Sequence, residues 1–206
     1  MTEAGKITAL FLDVGGVLLT NAWDEAALRR AAGEFKLDLA ELQARHAIVH
    51  ATYELGKISL ADYMRHVVFH APRAFEAEDF AEFMRAQSQP MAGMIDLFAS
   101  LKDKYRLKVV VVSNEGRELM DHRVSQFDLA ALADVFVVSC DLHVRKPDPE
   151  FYRAAIAISR VPATQALYID DRLLLVEVAR EIGFHGIHHT RLESTRAALA
   201  VLGLRA

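Results

Sequence analysis

A chain of 206 residues, 52% hydrophobic and 25% charged, suits one globular domain or one domain with a modest insertion. Its net charge of −4 leaves no basic footprint for nucleic acid, and its one cysteine, Cys140, excludes an internal disulfide and fits a reducing compartment. Asp13 interrupts the first apolar run too early for a secretory leader, and no run reaches the ~18 apolar residues of a membrane span. The expectation is a cytoplasmic protein with no membrane partner.

The first predicted element is a strand over Ile7–Leu12, which runs into Asp13-Val14-Gly15-Gly16. The strand pattern stops after Val17-Leu18-Leu19. Residues 25–35, 39–53, 60–69 and 78–85 then carry apolar side chains at three- and four-residue spacing, which predicts helices. Asp24 and Ser59 stand as N-caps just before two of them. No strand-like run interrupts this stretch, so 19–89 is expected to form an all-helical cap inserted after strand one. Residues 1–18 and 90–206 then form the core, with Pro90 marking the return because it disfavours helix in the residue before it.

From Met91 strands and helices alternate. Met94, Leu97, Phe98 and Leu101 mark a helix, followed by a strand at 109–112, a helix over 118–127 and a strand at 135–138. Pro149, at a first helical turn, opens a helix to residue 158, and a strand follows at 166–169. A helix over 172–182 is closed by Gly183, then come a short strand at 186–188 and a last helix over 195–202. Short β-branched runs between helices read as buried parallel strands of an α/β fold.

In such sheets the ligand sits beyond the carboxyl ends of the strands. Asp13, the pair Ser113-Asn114, Lys146 and the pair Asp170-Asp171 are all expected to meet there. An isolated Asp-Asp would read as a helix cap, but convergence with Asp13 points to a cation, because like charges repel at short range. Hard oxygen ligands of this kind suit Mg²⁺. Lys146 supplies a compact positive charge, Ser113 and the amides after it supply donors, and Gly15 and Gly16 allow close backbone approach. Together these groups describe phosphoryl transfer, with Asp13 attacking phosphorus and an aspartyl-phosphate released to water.

These four pieces, in this order, resemble the motifs of the haloacid dehalogenase superfamily. The stretches RKPDPEFY at 145–152, YIDDRLLLVEVAREIG at 168–183 and YELGKISLADY at 53–63 are similar to the branch holding α-glucose-1-phosphate phosphatases and the phosphatase domain of soluble epoxide hydrolases. The resemblance implies a Rossmann-like three-layer core with a helical cap. It makes Asp13 the nucleophile and a metal ligand, with Gly15 giving its carbonyl to Mg²⁺, Asp171 a direct ligand and Asp170 holding metal-bound water. It assigns Ser113, Asn114 and Lys146 to the phosphoryl group of a small phosphorylated metabolite. A 2-haloacid dehalogenase, which uses no metal, is the competing enzyme reading, and a weakly catalytic phospho-ligand or partner-binding member is the non-enzymatic one. Asp13-Val14-Gly15-Gly16 together with Asp170-Asp171-Arg172 argues against the dehalogenase.

Two departures from the family pattern stand out. Gly15 occupies the position where most phosphatases of the superfamily carry an acid–base aspartate, a group worth about 10²–10⁴-fold, and Leu175 stands where asparagine is common. Restoring the carboxylate by Gly15→Asp tests whether an acid is missing: higher turnover of poor leaving groups is expected if it is, unless the side chain does not fit. Glu115 reads as a solvated residue of a first helical turn rather than a replacement carboxylate. His46 and His50, and His66 and His70, share helix faces as ordinary cap histidines. His188 and His189 read as structural, Trp23 as a packed hinge aromatic, and Cys140 as a small buried residue.

Overall fold

The computed structural model describes residues 6–206; residues 1–5, part of the expected core and of the stretch read for a leader, lie outside the described residues. Five strands, β1 (Ala9–Leu12), β2 (Lys108–Ser113), β3 (Val135–Val138), β4 (Ala166–Asp170) and β5 (His185–His188), form one sheet. Its order is β3-β2-β1-β4-β5 and every neighbouring pair is parallel. Between β1 and β2 lie α1 (Glu25–Glu34), α2 (Leu39–Glu54), α3 (Leu60–Val67), α4 (Ala77–Ala86) and α5 (Met94–Tyr105). The later helices are α6 (Arg117–Gln126), α7 (Leu129–Leu132), α8 (Ser139–Leu142), α9 (Pro149–Ser159), α10 (Leu173–Ile182) and α11 (Leu192–Val201).

Alternation along each strand sorts the core into two layers. Leu10 and Leu12 of β1 face one cluster with Phe98 of α5 and Leu199 of α11, while Ala9 and Phe11 face the other with Phe151 of α9 and Val176 of α10. A fully buried side chain such as Phe11 contributes roughly 1.5–3 kcal/mol relative to exposure. The predicted elements all form. β1 is shorter than the apolar run, although the Lys108 amide still donates to the Thr8 carbonyl at 3.0 Å. The one-turn helices α7 and α8 were not expected, since four residues are too few to show a period.

Helices α1 to α4 form a separate layer with its own cluster around Trp23, Tyr53, Tyr63, Phe80 and Met84, joined by Leu119 from α6. The Asp24 side chain accepts from the Ala27 amide at 2.9 Å, and Ser59 with Asp62 makes a reciprocal capping box. The chain enters and leaves this layer through two segments that pair with each other. The Thr20 amide donates to the Gln89 carbonyl (2.8 Å) and the Met91 amide to the Leu18 carbonyl (2.9 Å).

The far end of α2 is pinned to the core. Ser139 Oγ donates to the Glu54 carbonyl at 2.6 Å and the His143 ring to the Leu55 carbonyl at 2.7 Å. Gly116 lies under the Tyr53 ring, where a Cβ would stand 2.1 Å from Tyr53 Cζ. Among the described residues, no helix is long and apolar enough to cross a membrane.

Candidate active site

Strand order places the switch point between β1 and β4, because the chain leaves β1 toward β2 and β3 on one side and leaves β4 toward β5 on the other. Doubly wound sheets bind ligands in the crevice beyond such a point. Asp13 follows β1, Asp170 ends β4 and Asp171 comes next. Oxygens of these three carboxylates lie within 4.8 Å of one another. Ser113 ends β2, and Ser113, Asn114 and Lys146 line the same cleft as Asp13 and Gly15. The structure thus brings Asp13, Asp170 and Asp171 together, with Ser113, Asn114 and Lys146 beside Asp13.

Lys146 is 1% exposed, which sets aside a solvated loop position. Its Nζ stands 2.9 Å from Asp170 Oδ2, 3.1 Å from Asp13 Oδ1 and 3.0 Å from the Val112 carbonyl. Burial works against the ammonium ion, but Asp13 and Asp170 outweigh it and hold Lys146 above the usual lysine range. Asn114 fixes the lysine: its Oδ1 accepts from the Lys146 amide and its Nδ2 donates to the Lys146 carbonyl, both at 2.9 Å. That pairing leaves one Nδ2 hydrogen for anything else.

Asp13 Oδ1 also accepts from the Val14 amide at 2.8 Å. Burial raises the Asp13 carboxyl well above the usual aspartate value, with Asp170 and Asp171 adding to the effect and Lys146 opposing it. Asp170 is saturated instead. Its Oδ2 accepts from Tyr168 Oη (2.6 Å) and Lys146, and its Oδ1 from the Arg172 amide (2.9 Å). Burial opposes ionisation there too, yet Lys146 and Tyr168 hold Asp170 below the usual range. Asp171 Oδ2 accepts from Asn21 Nδ2 at 2.6 Å, and its Oδ1 is buried without a hydrogen-bond partner. Lys146 thus pairs with two of the three clustered carboxylates, and Asp171 keeps a buried oxygen with no donor. A hard divalent cation such as Mg²⁺ fits this donor set.

The turn after β1 is tight. Gly16 has φ +73°, and a Cβ there would stand 2.2 Å from Asp171 Oδ2, so both backbone conformation and space require glycine. At Gly15 a Cβ would stand 2.6 Å from Asn21 Oδ1. Asn21 therefore takes up the room beside the backbone where a side chain at 15 would begin. The Val14 carbonyl accepts from the amides of Val17, Leu18 and Leu19, the Gly16 amide donates to the Leu19 carbonyl, and none of these bonds uses the carbonyl of Gly15.

Sequence reasoning missed two residues at the cleft, Asn21 and Glu54, and one buried behind it, Tyr168. Tyr168 shares a sheet face with Asp170, two residues on, and that spacing was readable; Asn21 and Glu54 gave no signal, since their placement depends on how the chain returns over the sheet. Glu115 is corrected. It is buried rather than solvated, lies before α6 rather than in its first turn, and pairs with buried Arg123. The Glu115 amide donates to Ser139 Oγ at 3.0 Å, which draws the residue inward.

His46 and His50 stack with ring centroids 4.3 Å apart, and burial lowers them to about 4 and about 3, so both rings are neutral. His46 also bonds Tyr63 Oη at 2.8 Å, and Trp23 Nε1 donates to the same oxygen at 2.7 Å. His70 contacts Glu41 at 2.8 Å. Neither histidine pair belongs to a metal-ligating cluster among the described residues. Trp23 is packed in the helical layer and also borders the cleft. His189 is buried against Thr195 Oγ1 at 2.8 Å, His188 bonds the Asp171 carbonyl, and Cys140 is buried. Leu175 is buried against the sheet at the cleft wall.

A family model for haloacid dehalogenase-like hydrolases matches residues 7–183. This chain, a hydrolase with a parallel α/β sheet, an acidic switch-point crevice and a helical insertion, belongs to that family. Flavin mononucleotide hydrolase 1 of Arabidopsis thaliana is 28% identical over 164 residues, which cover 79% of this chain and 65% of that protein. The protein SUPPRESSOR OF QUENCHING 1 of the same plant is 26% identical over 85% of this chain, which spans 17% of its length. Among solved structures, a HAD-like hydrolase from Porphyromonas gingivalis superposes with TM-score 0.79 at 20% identity, covering 98% of this chain and all (100%) of the other. A Bacteroides thetaiotaomicron family enzyme in complex with magnesium and inorganic phosphate gives 0.73 at 17% identity, covering 89% and 94%.

Proposed function

We propose that the chain is a Mg²⁺-dependent phosphomonoester hydrolase of a small phosphorylated metabolite, with Asp13 as the nucleophile. The observation that carries this reading is the state of Asp13. One oxygen is held by Lys146 and the Val14 amide, while Oδ2 makes no hydrogen bond among the described residues. That arrangement orients a carboxylate and leaves an oxygen free to attack. Asp13, Asp171 and the Gly15 carbonyl would hold the metal, with Asp170 reached through its water; when bound, the ion screens phosphate charge and opposes the repulsion among the carboxylates.

The chain's own groups divide the remaining work. Lys146 neutralises charge on the phosphoryl group and on Asp13. Ser113 and the Asn114 amide offer donors to phosphoryl oxygens, the Glu115 amide being taken by Ser139, and the Asn114 side chain keeps Lys146 in register. Asp13 Oδ2 bonds to phosphorus, the ester oxygen leaves, and water then cleaves the acyl phosphate. The helical layer 19–89 acts as a cap over the crevice, a division supported by the paired segments at Leu19 and Pro90. A sugar phosphate and flavin mononucleotide, the latter suggested by the plant relative's name, are the substrates to try first.

The test is release of inorganic phosphate from p-nitrophenyl phosphate, α-glucose 1-phosphate and flavin mononucleotide, with and without Mg²⁺. Turnover that needs Mg²⁺ is expected with at least one of them. Chloride release from 2-chloropropionate without phosphate release would instead establish the dehalogenase reading.

A second expectation concerns Gly15→Asp. Because Asn21 fills the adjoining space, the substitution should displace Asn21 from Asp171 and lower turnover about 10- to 10²-fold, as misplacement near a reacting centre does. Adding Asn21→Ala should recover part of the loss. A single variant faster than the parent would show that the space is open.

A further inference from the structure

The cleft lacks a carboxyl group at position 15, so the proton that a leaving oxygen needs must come from elsewhere. Outside the Asp13–Asp170–Asp171 cluster, three carboxylates among the described residues border the cleft: Asp24, Glu54 and Glu115. Asp24 caps α1 from an exposed position. Glu115 is committed to Arg123, which is itself buried and bonds Ser88. Glu54 differs from both. Its side chain is buried to about 10% exposure, its Oε2 has no hydrogen-bond partner, and its backbone carbonyl is tied to Ser139 of the core.

We propose that Glu54, at the end of α2, is the general acid and base of the reaction, doing from the cap what a carboxyl at position 15 would do from the core. The proposal rests on the phosphatase reading above. In the first half, the Glu54 carboxyl gives its proton to the ester oxygen as the Asp13–phosphorus bond forms and the ester bond breaks, releasing the alcohol. In the second half, the Glu54 carboxylate takes a proton from water as water oxygen bonds to phosphorus and the Asp13–phosphorus bond breaks. Glu54 is then protonated again and inorganic phosphate is released.

The surroundings suit both roles. Arg145 Nη1 is 2.7 Å from Oε2 but lacks hydrogen-bond alignment, and His50 Nδ1 stands 3.8 Å from Oε1. His50 is neutral and does not hold the carboxylate ionised. Burial raises Glu54 to about 7, opposed chiefly by Arg145, reinforced by Glu115, and opposed further by Arg172 and Lys146. A proton is therefore available at neutral pH and can be taken back. The backbone of residues 54 and 55 is tied to Ser139 and His143 of the core, which fixes this end of α2 at the cleft edge.

The experiment compares Glu54→Gln with the parent on p-nitrophenyl phosphate and phenyl phosphate, using kcat/KM, which reports only the steps through ester cleavage. A nitrophenolate leaves without protonation, so the loss there should stay below about tenfold. On phenyl phosphate it should reach about 10²-fold, toward the low end for general acids, and the alkaline limb of the parent's pH profile should disappear. Glu54→Asp, which keeps the acid one methylene short, should recover part of the phenyl phosphate rate. Equal losses on both esters, or none, would overturn the assignment. A parent with no phosphatase activity would instead remove the function on which it rests.

Discussion

Asp13→Asn should lower phosphate release from p-nitrophenyl phosphate by about 10⁴-fold or more, the scale on which removal of a covalent nucleophile acts. An amide oxygen does not attack phosphorus, and Asp171, whose Oδ1 is also unpartnered, makes no ion pair with Lys146. The fold should persist, because the amide keeps the shape and can still accept from the Val14 amide. Stability carries an independent signature with a definite sign. The folded-state value of Asp13 lies above its unfolded one, so in chelator the parent loses stability as pH rises from the acid range through that folded value. Asparagine does not titrate. The melting temperature of the variant should therefore gain on the parent between pH 4 and pH 8, and Mg²⁺ should reduce the gain by stabilising the parent, which keeps all three carboxylates, more than the variant. Retained turnover, or a pH-independent difference in melting temperature, would sink the assignment of Asp13 as the clustered nucleophile.

The fold was legible because its signals are local. β-Branched runs of four to six residues, helical spacing, and Pro149 or Gly183 at helix ends each act through neighbours in the chain. The switch-point crevice followed from these, and with it the meeting of Asp13, Ser113, Lys146 and Asp170. What escaped depends on distant chain segments crossing the crevice. Asn21 reaches Asp171, 150 residues away, and Glu54 is placed by Ser139, 85 residues on. Glu115 was misread for the same reason: its position in sequence suggests a solvent-facing turn, whereas Arg123 and Ser139 draw it inside. The open question at Gly15 also changes character. A side chain there would have to displace Asn21, whose Oδ1 stands 2.6 Å from where a Cβ would be, and the unpartnered carboxyl oxygen at the cleft edge belongs instead to Glu54 of the cap.

Lys146→Met should be the most destabilising single change in the crevice, by about 3–5 kcal/mol, as expected when one partner of a buried ion pair is removed. The methionine matches the lysine stem in length, so the loss is of charge and hydrogen bonds rather than packing. It leaves Asp13 and Asp170 without their shared cation, and it frees the Val112 carbonyl from its donor. The pH dependence follows from the carboxylates. Lys146 itself, raised above its ordinary value, contributes fully at every pH below the lysine range. Asp170 lies below its unfolded value in the parent, so its contribution is present above that value and is lost as pH falls through the folded one. The gap in stability between parent and variant should therefore be widest near neutral pH and narrow on acidification, as the carboxylates of the variant take up protons. Denaturant titrations at pH 7.5 and pH 4.5 measure it. A gap under about 1 kcal/mol, the size of an exposed ion pair, or one that does not change with pH, would mean that Lys146 does not organise this acidic cluster.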